Sequence, residues 1–143
     1  MDWFSIVSHW LHLGGAAVTV GGYLYAWLVV TPSLESLPAE TRRQVVGRLA
    51  ARMRPLSFVV IGVMLATGLI NLMLHFSGKP AAYHMVFGVK LLLALHVFAV
   101  GFLLAVPPGA DAVRDARRPR LMAGAAISGV VILLLSAWLN RGF

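Results

Sequence analysis

Cysteine is absent from the 143 residues, which excludes disulfides, thiolate metal centres and cysteine nucleophiles. Acidic residues are almost as scarce, five in all: Asp2, Glu35, Glu40, Asp111 and Asp115. None falls inside a long apolar run, so no Ser–His–Asp set with a buried carboxylate can be assembled. Charged residues of both signs make up 12% of the chain, against about 25% in a soluble domain. No phosphate-cradling glycine loop is present. Gly14-Gly15 and Gly21-Gly22 lie inside an apolar stretch and read as packing residues.

What remains is apolar. Hydrophobic residues account for 59% and the mean hydropathy is +0.84, more than a globule of this size can hide from water. The chain therefore reads as one membrane domain, 1–143, with no room for a large extramembrane module. A helix needs about 20 mostly apolar residues to cross the hydrocarbon core. Four stretches meet that length: Trp3–Val30, Leu56–Phe76, His84–Val106 and Leu121–Leu139. They are too long, and too lacking in alternation, to be strands. The first is preceded by Asp2 rather than basic residues and lacks a small-x-small motif at its far end, so it does not read as a cleaved leader. The expected fold is an all-α, four-helix transmembrane bundle.

The net charge of +7 is concentrated. Arg42, Arg43, Arg48, Arg52 and Arg54 lie in one loop, and Arg114, Arg117, Arg118 and Arg120 in another on the same side. The opposite side has only Lys79 and Arg141. By the positive-inside rule the arginine loops are cytoplasmic and both termini are outside. The basic balance is thus a topology signal with anionic lipid as counter-charge, and no nucleic-acid partner is expected. In the first loop, Ser36 reads as an N-cap ahead of Pro38, and Val45, Leu49 and Met53 repeat on one face. That pattern fits an amphipathic surface helix over 37–54 or an extension of the second crossing. Pro107-Pro108-Gly109 should end the third helix. The short outer loop Ser77–Tyr83 should leave the second and third crossings as antiparallel neighbours.

Helices in lipid associate through small residues and a few hydrogen bonds. The first crossing carries His12, Gly15, Thr19, Gly22 and Ala26 on one stripe, which turns His12 toward a neighbouring helix. The second carries Thr67, Asn71 and His75 beside Met64 and Gly68; the fourth carries Gly124, Ser128, Ser136 and Asn140. Ionisable groups inside a membrane are costly and tend to be functional. At about 1.5 Å per residue, His9 and His12 lie roughly 6–12 Å below the outer surface, and His96 roughly 18 Å in. His75 and His84 lie at the surface itself, with Lys90 one to two turns deeper. Four histidines from three helices thus collect in the outer half. His84, Lys90 and His96 are spaced about 120° apart around their helix, so they cannot all face one site.

Each ring has a bland reading, a hydrogen bond to a carbonyl or hydroxyl, and a ligand reading, because imidazole binds copper, zinc and haem iron. For copper the candidates are His12, His9, His75 and His84, with Met73 and Met85 at the rim. For a b-type haem they are His12 with His75, His84 or, at greater depth, His96 as its partner, and Lys90 placed to meet a propionate. Zinc lacks the carboxylate that a hydrolytic site uses.

The residues Leu11-His12, Gly21-Gly22 and Thr31-Pro32 resemble the first crossing of the copper-resistance protein D (CopD) family. Arg54 followed by Thr67-Gly68, and Tyr83 through Phe87-Gly88-Val89-Lys90-Leu91, resemble its second and third crossings. The resemblance spans nearly the whole chain. It implies a multi-pass protein of the bacterial cytoplasmic membrane that handles copper through outer-face histidines, within a homo-oligomer or larger membrane complex. More distantly the chain is similar to the membrane haem-binding protoporphyrinogen oxidases. It departs from them where Thr31-Pro32-Ser33 closes the first crossing and where Gly88 stands two residues before Lys90. Three readings therefore enter the structure: copper handling, a b-haem redox protein oxidising a porphyrinogen or quinol, and a cofactor-free accessory subunit.

Overall fold

The computed structural model describes residues 3–75, 77–109 and 111–142; Asp2 lies outside them. The described residues are helical apart from short turns. The helices are α1 (Trp3–Tyr25), α2 (Thr31–Glu35), α3 (Ala39–His75), α4 (Ala81–Ala105) and α5 (Ala112–Gly142). A π-helical turn, Ala26–Val30, joins α1 to α2, and four helical spans are long and apolar enough to cross a membrane. α1 packs on α3 and α5, and α4 on α5 and α3, which closes a ring of four. α3 and α4 are neighbours, as the short loop requires, yet theirs is the sparsest seam of the ring.

The first span does not stop at Val30. It continues to Glu35, and Pro32 explains how. Proline has no N–H to give the carbonyl four residues back, so the helix widens before it. The Thr31 N–H bonds to the Ala26 carbonyl, and the Thr31 hydroxyl bonds to the same oxygen at 2.8 Å. Nor does Ser36 cap a helix. Its hydroxyl donates back to the Ser33 carbonyl at 3.3 Å, and α3 opens where the Pro38 carbonyl accepts the Arg42 N–H at 2.9 Å.

The segment 37–54 is no separate surface helix. α3 runs unbroken for 37 residues through Pro55, about 55 Å against about 30 Å of hydrocarbon. Its arginine-bearing start therefore stands clear of the core, alongside the 107–109 turn. There Pro108 approaches Gly47 and the Arg43 guanidinium approaches Gly109. α5 likewise begins well before Leu121, because the Asp111 carboxylate accepts the N–H groups of Val113 and Arg114 at 2.9 and 3.1 Å. That is an N-cap.

The buried core is narrow: Val20, Ile61, Val97, Val100, Ala105, Ala125, Ala126 and Leu139. Its closest approach is at Gly129, where an added Cβ would stand 2.6 Å from Val20 Cγ2. Gly15 meets Met64, but Gly14, Gly21 and Gly22 would meet nothing within 4 Å. The expected packing role therefore holds for Gly15 and fails for the other three, which face away from the seams. Only 6–17% of each span's most apolar stretch is buried inside the chain; the remaining surface is left for lipid or other chains.

Candidate functional site

His12 sits in the α1–α3 seam, and the two stripes read from sequence do meet there. Ser8, 4% exposed, gives its hydroxyl to Asn71 Oδ1 at 3.5 Å. One turn along, His12 Nδ1 lies 3.0 Å from Thr67 Oγ1. A turn further, the Met64 sulfur lies against Gly15. The seam is tight at the ring, since a Cβ on Gly68 would come within 3.2 Å of His12 Cε1.

The direction of the His12–Thr67 bond follows from the threonine's other contact. Thr67 Oγ1 gives its single hydrogen to the Val63 carbonyl at 2.6 Å, so it accepts from the imidazole. The Met64 carbonyl, also only an acceptor, lies beside the same ring. Nδ1 therefore carries the hydrogen, and Nε2 keeps its lone pair. A neutral ring so oriented is what a metal-ligating histidine needs, because its second nitrogen is already engaged.

Around His12 the other candidates separate. His9 and Lys90 act electrostatically on the His12 ring, so α4 contributes a cation to this half of the bundle. His9 is exposed and borders a shallow groove formed by α1 alone, with Ser5, Ile6, Trp10 and Leu13. His84 is half-buried at the start of α4, edge-on to Tyr83 at 5.8 Å. Tyr83 stacks on Phe87 at 6.2 Å and lies under the Lys79 ammonium at 5.4 Å. His75 closes α3; its side chain lies outside the described residues. Met73 and Met85, the rim sulfurs, are 76% and 73% exposed. Among the described residues no three His, Asp or Glu side chains gather as a metal site.

His96 faces a different seam. Its Nε2 lies 3.4 Å from the Cβ position of Gly124 on α5, while His12 lies against α3. The two are not arranged across a common gap, as a pair of axial haem ligands would be.

A second polar site, at the arginine-side end, escaped the sequence reading. Pro107 and Pro108 have no N–H groups, so α4 ends with carbonyls that its own backbone cannot satisfy. Arginines from α3 and α5 take them in order. Arg118, 6% exposed, donates to the Leu104 carbonyl at 3.3 Å and to the Val106 carbonyl. Arg54 Nε donates to Ala105 at 3.1 Å, and Arg114 to Pro107 at 3.1 Å. Asp115 pairs with Arg118 at 3.2 Å and with Arg114 at 3.7 Å, and also accepts the Gly109 N–H. The available signal was the Pro-Pro pair followed by Asp115 three residues before Arg118.

Fold and sites together define a multi-pass α-helical membrane bundle, with a clamped arginine end and a histidine-bearing seam near the other. Family models, curated proteins and solved structures alike give no match to the chain.

Proposed function

We propose that this chain is a copper-handling protein of the bacterial cytoplasmic membrane, with its arginine end in the cytoplasm and both termini outside. Monovalent copper is the cargo, met at His12 in the outer half. One observation carries the reading: the hydrogen-bond order from Val63 through Thr67 to His12 leaves Nε2 as a donor atom. Reduced copper favours thioether sulfur beside imidazole, and Met64 brings a sulfur to the same seam. His9, which acts electrostatically on the His12 ring, is a further candidate, and His75 and His84 complete the proposed outer set. The likeness of Leu11-His12, Gly21-Gly22 and Thr31-Pro32 to the CopD family supports the same reading. The wide uncovered helix surface supports assembly into a homo-oligomer or a larger complex.

A second reading, b-type haem, is favoured by one feature. Lys90 acts electrostatically on the His12 ring, and no acid lies within the apolar stretch of any span. A carboxylate-bearing group such as a haem propionate would balance that charge. His12 would then be the axial ligand, without His96.

Purified protein loaded with monovalent copper under reducing conditions tests both. The expected result is a colourless protein with near-stoichiometric copper, lost in His12→Ala. A Soret band in the protein as isolated would transfer the assignment to haem. Full copper occupancy in His12→Ala would remove His12 from the site, and neither copper nor haem would leave only the accessory-subunit reading.

A further inference from the structure

We propose that the α3–α4 cleft at the arginine-side end binds one anionic phospholipid, its phosphate on Arg54 and its first acyl carbons against Phe58 and Phe102. The cleft has a volume of about 340 Å³ and is bounded by Arg54, Phe58, Phe102, Ala105, Val106 and Pro107. It opens along the least packed seam of the ring, so a lipid can enter it sideways from the bilayer.

The order of chemistry along the cleft is that of a lipid. α4 has 25 residues, about 37 Å of helix, which places its end at Ala105–Pro107 in the headgroup layer. Phe102 is about one turn deeper on α4, and Phe58 about one turn deeper than Arg54 on α3. Their rings, 5.5 Å apart between centroids and tilted by 35°, are 43% and 52% exposed. They form an apolar wall at acyl depth beneath a guanidinium at phosphate depth.

Arg54 is also the arginine of the clamp with capacity to spare. Arg118 and Arg114 share the Asp115 carboxylate as their ion-pair partner. Arg54 has no ion pair among the described residues, and its one hydrogen bond runs from Nε to the Ala105 carbonyl. That bond holds the planar group at the cleft mouth, with both terminal nitrogens free for the two-oxygen contact that phosphate accepts. The neighbouring arginines of both loops raise the positive potential there, which favours a lipid with net negative charge over a zwitterionic one.

Native mass spectrometry of the full chain, delipidated and then offered equal phosphatidylglycerol and phosphatidylcholine, tests the assignment. The wild type should retain one phosphatidylglycerol with roughly fivefold preference, the worth of one arginine near an anionic headgroup. Arg54→Gln should cut that preference severalfold, leaving only the weak bias that the neighbouring arginines supply. Phe102→Ala, which leaves the Arg54–Ala105 bond intact, should weaken retention of both and decides the matter if the first variant does not fold. Inorganic phosphate should not displace the lipid. Equal retention by the wild type, an undiminished preference in Arg54→Gln, unchanged retention in Phe102→Ala, or displacement by phosphate alone would each overturn the proposal.

Discussion

The two ends of this bundle handle polar groups in opposite ways. At the arginine end, each carbonyl from Leu104 to Pro107 has a guanidinium donor, and two of those arginines share the Asp115 carboxylate. At the histidine end, His9 is exposed, Met73 and Met85 point outward, and His12 keeps one nitrogen uncommitted. A buried polar group contributes to stability when its partners are all present, and contributes less or costs stability when one of its bonding positions is left open. The arginine end is of the first kind and the His12 seam of the second. Local stability should therefore be graded along the bundle, highest near Arg118 and lowest at the rim.

The comparison is broken most directly at Arg118. Arg118→Leu strips the donor from two carbonyls and leaves Asp115 with Arg114 as its one ion-pair partner among the described residues, so unfolding in mixed micelles should show a loss of about 3 kcal/mol. A loss below about 1 kcal/mol would mean that the clamp is decorative. Next comes the glycine pair. Gly129→Ala meets the short, β-branched Val20, which cannot swing aside, and should cost about 1–3 kcal/mol. Gly22→Ala meets nothing and should be neutral or slightly stabilising by helix propensity. Equal effects at the two positions would contradict the seam assignment.

A modest change in stability, at Thr67, sharpens the functional side of the contrast. Thr67→Val keeps the shape of the seam but removes the acceptor for His12 Nδ1. It should cost about 1 kcal/mol in unfolding while weakening copper retention by about 10- to 100-fold, as for an outer partner of a metal-ligating histidine. Unchanged copper affinity would separate Thr67 from the site.

Much of the membrane architecture was legible because hydrocarbon imposes a length and forbids unpaired charge. The four apolar runs, the gathering of arginines between them and the turning of His12 toward a neighbouring helix all follow from residue order and spacing along a helix. Helix ends were less legible. A proline pattern such as Thr31-Pro32 or Arg54-Pro55 looks like a stop, yet the first helix passes it by widening and the second by giving up one hydrogen bond. Ser36 resembled a cap because capping chemistry is local, whereas the start of α3 depends on which carbonyl actually meets the Arg42 N–H.

What the amino-acid order determined by itself is the number of crossings, the clustering of positive charge at one end, and the absence of acid from the apolar spans. These depend on composition and on a fixed rise per residue. The tertiary structure alone decided which imidazole meets which helix. It put His12 on α3 and His96 on α5, made Arg118 a buried cap for α4, and opened a cleft at Arg54. Such pairings join residues far apart in the chain, and they depend on how the helices rotate and cross when small residues let them approach.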